Sequence, residues 1–237
     1  MNIVATIPVW NCDETLEDCL NSLNGKVDGI ILFEGKWKLR EYGSLRSTDR
    51  TINIIEDFSK RTDSFVILVQ NLKPVLESEC RSFMYSMVRK GDWILSVDSD
   101  EIILEWNVDR DFLSKTDEKA FRVHYITKSN LISYVPKFFK RTEGLTCTAD
   151  PMRLLDFEGE IGYRFAPPID ITLRHHFLCK TKKSKIGWGE YIIHLQEYIQ
   201  KFGDQIINPA QISDIVEVKV LNGNYDANVS SLMTTVI

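Results

Sequence analysis

The sequence predicts an α/β protein with a mixed, mostly parallel sheet flanked by helices and a smaller region on its C-terminal side. Apolar runs of strand length alternate with amphipathic segments through the first 100 residues, as in a parallel sheet with helical crossovers. The chain has 237 residues, 43% of them hydrophobic and 27% charged, which is ordinary for a globular protein. This length accommodates one large domain.

The first half contains four apolar runs and three amphipathic segments. In the first amphipathic segment, apolar residues recur at helical spacing from Leu16 to Leu23. Ser47 or Asp49 can cap the second segment by accepting from free backbone N–H groups. The predicted strands are Ile3–Pro8, Val27–Phe33, Phe65–Val69 and Trp93–Val97, and the predicted helices are Glu14–Leu23, 47–60 and Ser78–Arg89.

The second half has a weaker pattern. Shorter strands are expected at Phe121–Ile126, Lys137–Lys140 and Ile169–Leu173, and a helix is expected over 188–202. The last 30 residues mix short apolar runs with Asn and Gly, so no element is predicted for them.

Net charge, the length of apolar runs and the spacing of cysteines argue against several classes of protein. The net charge of −5 argues against a nucleic-acid-binding surface. No apolar run reaches the roughly 18–20 residues of a membrane span, which leaves only peripheral membrane contact open. The five cysteines are scattered without a Cys-x-x-Cys pair, and the start resembles a strand more than a signal peptide. We therefore expect free thiols and a cytoplasmic protein.

Residues 91–101 form the most informative segment, an apolar strand followed by Asp98, Asp100 and Glu101. In an extended chain, Asp98 and Asp100 would project from the same face. Adjacent carboxylates repel each other unless a cation or a proton neutralises them, and Mg²⁺ or Mn²⁺ held by carboxylates and substrate phosphates suits this geometry. The same spacing recurs at Asp109 and Asp111, but without a preceding strand, and there it predicts the acidic first turn of a helix.

Three segments, in order, resemble family 2 glycosyltransferases. Ile7–Leu23 is similar to the family's first strand and helix, and Ser47–Thr51 to its Ser-Thr-Asp-x-Thr segment. Arg81, followed by residues 91–101, resembles its donor-site segment. The resemblance covers roughly residues 3–105 and implies a GT-A-type, Rossmann-like fold that binds a nucleotide sugar. It implies a donor half at 1–105, an acceptor-side half at 106–203 and a C-terminal extension at 204–237.

The resemblance also implies roles in donor binding. Pro8 and Trp10 end the first strand, where Trp10 would stack on the nucleotide base or, alternatively, pack as a core residue. Glu34 would hydrogen-bond the base or ribose, unless it is a solvated turn acid. An insertion at 36–46 departs from the family pattern beside it. Asp49 would fix the donor loop or cap its helix.

The implied diphosphate and metal contacts lie further along the chain. Arg81 would face the diphosphate, where a guanidinium binds two phosphoryl oxygens well, unless it is an exposed helix charge. Ser99 would contact the donor between the two metal-binding acids, Asp98 and Asp100. A later histidine would complete the metal shell; His176 is preferred to His175, and a structural role is open for either.

Two further assignments concern turnover. Glu158 or Glu160 is expected to be the catalytic base, although either could be a loop acid. The basic run at 180–185 would close on the diphosphate, with Lys182 or Lys183 in contact, or would be a solvated loop.

Together these features predict a metal-dependent, inverting transfer from a nucleotide sugar, UDP-linked, to a glycan, lipid-linked or protein acceptor. One rival is a binding module of the same fold without turnover. Another is a sugar-phosphate nucleotidyltransferase, but the segment after the first strand lacks the glycines of its phosphate loop. A phosphohydrolase built on acidic clusters is the weakest alternative.

Overall fold

The computed structural model describes residues 1–39, 43–126, 132–148, 154–156, 159–160, 166–175, 193–203 and 212–223. Strands and helices alternate up to β4, after which strands predominate. The strands are β1 Ile3–Val9, β2 Gly29–Glu34, β3 Phe65–Asn71, β4 Trp93–Ser96, β5 Glu101–Trp106, β6 Ala120–Ile126, β7 Ile132–Lys140, β8 Thr146–Cys147, β9 Leu154–Asp156, β10 Gly159–Glu160, β11 Pro168–His175 and β12 Val216–Asn222. The helices are α1 Leu16–Leu23, α2 Thr51–Ser59, α3 Glu77–Met87, α4 Arg110–Lys115 and α5, residues 193–202.

One mixed nine-stranded sheet organises the fold, in the order β12-β3-β2-β1-β4-β7-β6-β11-β5. The four strands β3, β2, β1 and β4 are parallel. Strand β7 runs antiparallel to β4, and β12 closes the other end of the parallel group by pairing antiparallel with β3. The predicted mixed α/β sheet flanked by helices is therefore confirmed.

Helices cover both faces of the parallel strands, which explains why these strands are apolar at nearly every position. Alternate residues of β2 enter opposite cores: Ile31 and Phe33 pack on the side of α3, whereas Ile30 and Leu32 pack on the side of α1 and α2. The stripe from Leu16 to Leu23 that predicted α1 is fully buried there. In the core on the side of α1 and α2, the Trp93 ring stacks on the Phe138 ring, with 5.0 Å between the ring centroids.

Sequence patterns located most elements but missed five strands, namely β5, β8, β9, β10 and β12. The second pair of aspartates, Asp109 and Asp111, is confirmed as a helix start, because the Asp109 carboxylate accepts from the backbone N–H groups of Asp111 and Phe112. Strand β5 was not predicted, nor was β12, which comes from the unassigned C-terminal segment. Cys12, Cys19, Cys80 and Cys147 are free thiols, as expected, while Cys179 lies outside the described residues. In the described part of the chain, no helix has both the length and the apolar character needed to cross a bilayer.

Candidate functional site

The candidate site lies at the carboxyl ends of the parallel strands. Strand β1 is followed along the chain by β2 on one side, whereas β4 lies on its other side. The direction of winding therefore reverses between β1 and β4, and open α/β sheets bind ligands in the crevice that such a reversal leaves at the strands' carboxyl ends. Trp10 follows β1 at this edge, and the acidic segment follows β4.

The acidic segment is a turn. The extended-chain expectation for Asp98 and Asp100 is wrong, because β4 ends at Ser96 and the backbone then reverses. The Glu101 N–H donates to the Asp98 carbonyl at 3.0 Å, and the Asp98 N–H donates back to the Glu101 carboxylate at 2.9 Å. We call residues 98–101 the acidic turn. Its two reciprocal hydrogen bonds direct Asp98 and Asp100 toward different partners.

Arg81 lies beneath the acidic turn, on α3. Its guanidinium donates to Glu77 one helical turn earlier, at 3.0 and 2.7 Å, and to the Ser96 hydroxyl at 2.8 Å. The same group donates to the Asp98 carboxylate. The Arg81 side chain is only 9% exposed, so the guanidinium lies inside the fold and reaches the partly exposed Asp98 carboxylate from below.

Lys137 contacts the acidic turn from β7. Its ammonium lies 3.1 Å from Asp98 Oδ2 and 2.6 and 2.7 Å from the two oxygens of Glu101. It also lies 5.6 Å from the centroid of the Tyr125 ring. The sequence had placed Lys137 only at the start of a strand, so this contact with the site was missed.

These ion pairs determine the protonation of the turn. Burial opposes ionisation of Asp98, but Lys137 and Arg81 outweigh it and hold the pKa of Asp98 well below its usual range. Burial raises the pKa of Glu101 to about 7, against the opposing effect of Lys137. Lys137 is also buried, yet Asp98 and Glu101 raise its pKa, so it stays an ammonium.

Asp100 faces a histidine from the neighbouring part of the sheet. The Nε2 atom of His175, the last residue of β11, lies 3.2 Å from Asp100 Oδ2. The register explains the contact, because His175 pairs with Glu101 across β11 and β5. Of the two predicted histidines, His175 thus meets the acidic turn, whereas His176 lies outside the described residues.

Glu34 anchors the loop that precedes α2. Its carboxylate is fully buried and accepts from the Ser47 N–H at 2.6 Å, from Arg46 at 3.2 Å and from Gln70 at 3.1 Å. Arg46 belongs to the insertion at 36–46, whose Trp37 is buried in the core. The insertion is therefore part of the site's scaffold on the Glu34 side, with residues 40–42 outside the described part.

The loop after β1 is fastened to the same segment. The Trp10 indole N–H donates to the Ser44 carbonyl at 3.2 Å. Asp49 accepts from the Thr51 N–H at 3.0 Å and from the Asp13 N–H at 3.2 Å, so it joins the start of α2 to the loop that Trp10 begins. These contacts agree with the loop-fixing interpretation of Asp49. Asp49 also accepts from the first N–H group of α2, although the N-cap residue itself is Arg50 and makes no side-chain cap. Pro8 lies inside β1, where it pairs with Phe33.

The remaining predicted residues are described only in part. The Ser99 hydroxyl contacts the Cys12 thiol beside β1. Glu160 lies in β10, although its side chain is not described, and Glu158 and the run at 180–185 lie outside the described residues. The small sheet β10-β9-β8 that carries Glu160 is attached to α3, where Thr146 lies 3.0 Å from the hydroxyl of Ser82, the neighbour of Arg81.

No known family model and no curated protein matches this chain. Among solved structures, that of S. aureus TarS covers 54% of this chain and 22% of its own, at 20% identity and a TM-score of 0.35. The structures of S. aureus TarS 1–349 with UDP-GlcNAc and with UDP also cover 54% of this chain, at 18% and 20% identity and a TM-score of 0.35. The chain spans between 22% and 36% of the length of these TarS chains. A likeness at this TM-score identifies no function.

Proposed function

We propose that this chain is a family 2-type glycosyltransferase that moves a sugar from a UDP-linked donor to a hydroxyl acceptor, with inversion and with a divalent metal. The carrying observation is the acidic turn beside His175, at the carboxyl ends of strands where the sheet's winding reverses. The ordered resemblance of residues 3–105 to that family supports the proposal. The acceptor is a glycan, lipid-linked or protein hydroxyl.

The donor set at Asp100 suits a hard divalent ion. A carboxylate oxygen and an imidazole nitrogen converge there to 3.2 Å, and both atom types bind Mn²⁺ well. Among the described residues, no group of three or more His, Cys, Asp or Glu side chains could hold a metal. Asp100 and His175 would therefore hold the ion together with substrate oxygens. When bound, the ion supplies Lewis-acid neutralisation of the departing diphosphate.

The protein groups have separate tasks in this proposal. Trp10 provides an aromatic face for the base, and Asp98, with its side chain 39% exposed, provides a fixed acceptor for donor hydroxyls. The fixed charges of Arg81 and Lys137 hold that acceptor in place before the donor arrives, which is the preorganisation that electrostatic catalysis needs.

A carboxylate must remove the acceptor's proton for a direct displacement. Glu158 and Glu160 are the candidates, and general-base assistance contributes about 10²–10⁴-fold in rate. The attachment of the β8–β10 sheet to α3 beside Arg81 supports this side of the fold as the place of the base.

A binding module without turnover is the second candidate. One observation favours it: Glu34 and Asp98, two acids expected to contact the donor, are already engaged by protein groups. Such saturation is compatible with a rigid recognition site that performs no chemistry.

A donor panel separates the two candidates. The protein is incubated with nucleotide sugars and an acceptor mixture, with MnCl₂ or with chelator, and released nucleoside diphosphate is measured. We expect release from a UDP-sugar with Mn²⁺, and its loss in Asp100→Asn. Asp109→Asn is the matched control, because it changes the duplicate Asp-x-Asp at a helix start and should leave release unchanged. UDP binding without release from any donor would favour the module, and absence of both would refute the proposal.

A further inference from the structure

Lys137 bridges the two carboxylates on either side of Asp100 in the acidic turn. Its ammonium contacts one oxygen of Asp98 and both oxygens of Glu101, all within 3.1 Å. The Lys137 side chain is 12% exposed, and that of Glu101 is fully buried. A buried ammonium with three carboxylate contacts is held in one geometry, unlike an exposed surface lysine.

The backbone of β7 places Lys137 at this point. Phe138 pairs with Leu95 on β4, and the two strands are antiparallel. Lys137, which precedes Phe138, therefore lies level with the end of β4, where the acidic turn begins. On the other side, Phe138 and Pro136 pair with consecutive residues of β6, which leaves Lys137 as the extra residue of a bulge. Bulges redirect a side chain and occur next to active sites. Here the bulge directs an ammonium toward the turn.

The local charges are nearly balanced before any ligand binds. Two carboxylates of the acidic turn, Asp98 and Glu101, contact two cations, Arg81 and Lys137, while Asp100 faces His175. Without Lys137, the turn would retain Arg81 alone, itself shared with Glu77. Opposite charges attract strongly at these separations in a buried site. Loss of the Lys137 ammonium would therefore make the carboxylates of the turn better ligands for a divalent ion.

We propose that Lys137 is a positioning residue that serves as the built-in counter-cation of the acidic turn. It fixes Asp98 and Glu101 and restricts divalent-ion uptake to Asp100 and His175 together with the donor diphosphate. The turn therefore takes up the ion with the nucleotide and binds it weakly alone. The donor part of this inference rests on the proposed function, whereas binding of the ion alone does not.

The test is calorimetric titration, with all variants measured in the same buffer. MnCl₂ alone, and UDP in the presence of MnCl₂, are titrated into wild type, Lys137→Met and Lys137→Arg. We expect Lys137→Met to bind Mn²⁺ at least about tenfold more tightly than wild type, because a fixed positive charge has gone. UDP affinity should fall about tenfold in the same variant, since Asp98 is no longer fixed. Lys137→Arg should restore both values to within about threefold.

Lys119→Met is the matched control, because it removes a lysine from another ion pair, with buried Asp156, away from the turn. It should change neither affinity. The double variant Glu101→Gln/Lys137→Met removes the pair together and should return Mn²⁺ binding to the weak wild-type level, which also covers a failure of Lys137→Met to fold. Unchanged Mn²⁺ affinity in Lys137→Met, or equal changes in Lys119→Met, would overturn the inference. Absence of UDP binding to the wild type would refute the proposed function. The Mn²⁺ titration would still decide the role of Lys137.

Discussion

Replacing Arg81 by Met should destabilise the fold strongly. The guanidinium is the partner of a buried carboxylate, Glu77, whose side chain is 8% exposed, and it also donates to Ser96 and Asp98. Met fills a similar volume along the side-chain stem but cannot donate. Glu77 would then remain as an ionised group away from water, which is the costly way to break a buried ion pair.

The contacts of Arg81 set the size of the expected loss in the free energy of unfolding. Removing one partner of a buried ion pair costs about 3–5 kcal/mol, most of it the penalty for the charge left behind. Ser96 retains a hydrogen bond with Tyr85 at 3.0 Å, so losing the hydrogen bond from Arg81 to Ser96 adds little to the cost. Asp98 retains Lys137 and partial access to water, which limits its contribution. We therefore expect the loss in free energy of unfolding to lie near 3–5 kcal/mol for Arg81→Met.

Urea denaturation followed by tryptophan fluorescence measures the change. The control is Lys60→Met, which breaks an ion pair with Asp57 whose side chains are 72% and 73% exposed. It should cost less than about 1 kcal/mol, because water screens such pairs. Glu77→Gln/Arg81→Met should recover part of the lost stability by removing the stranded charge. A loss below about 1 kcal/mol in Arg81→Met, equal to that of the control, would refute the argument that this pair is buried and coupled.

Three further predictions concern other parts of the fold. Gly43→Ala should weaken UDP binding and change tryptophan fluorescence, because Gly43 has φ 99° and an added Cβ would come within 2.7 Å of the Trp10 ring. Unchanged UDP affinity and unchanged fluorescence would contradict the packing of Gly43 against Trp10. Asp109→Ala should cost about 1 kcal/mol in urea denaturation by removing the cap of α4, and an unchanged midpoint would argue against the cap. Desolvation raises the pKa of the partly buried Cys12 thiol and of the fully buried Cys147 thiol to about 12. Iodoacetamide labelling of the native thiols, followed by peptide mass spectrometry, should therefore rise with pH without levelling off below about pH 10. Labelling of the urea-unfolded chain should level off near the ordinary thiol pKa of about 8.5, and identical profiles for the two states would contradict the desolvation of these thiols.

The parallel core was predictable because its sequence signals are local. Runs such as Ile3–Val9 are apolar on both faces, and each helix between them has an apolar stripe of its own. Strand β12 had a usable signal too, since Val216, Val218 and Val220 alternate with Glu217 and Lys219. That alternation is typical of an edge strand with one exposed face, and the surrounding Asn and Gly residues obscured it.

Strand β5 was missed for a different reason. Its first residue, Glu101, is charged and belongs to the segment that carries the acids, so the segment was interpreted by its chemistry and not by its conformation. Only the pairing with β11 shows that the chain turns at Asp98–Asp100 and begins a new strand at Glu101. This also explains why the extended-chain geometry was wrong, because two strands separated by four residues require a turn between them.

The site was predictable where one chain segment carries it and unpredictable where distant segments meet. Asp98 and Asp100 could be found from a strand followed by acids, but Lys137 lies 39 residues after Asp98 and contacts it only because β7 pairs with β4. No local pattern indicates that neighbour, since an isolated lysine in an apolar strand predicts only an exposed position at an edge. Arg81 could be found from the sequence, whereas Lys137 reaches the acidic turn through sheet order, so the charge of this site follows from topology as much as from the acids themselves.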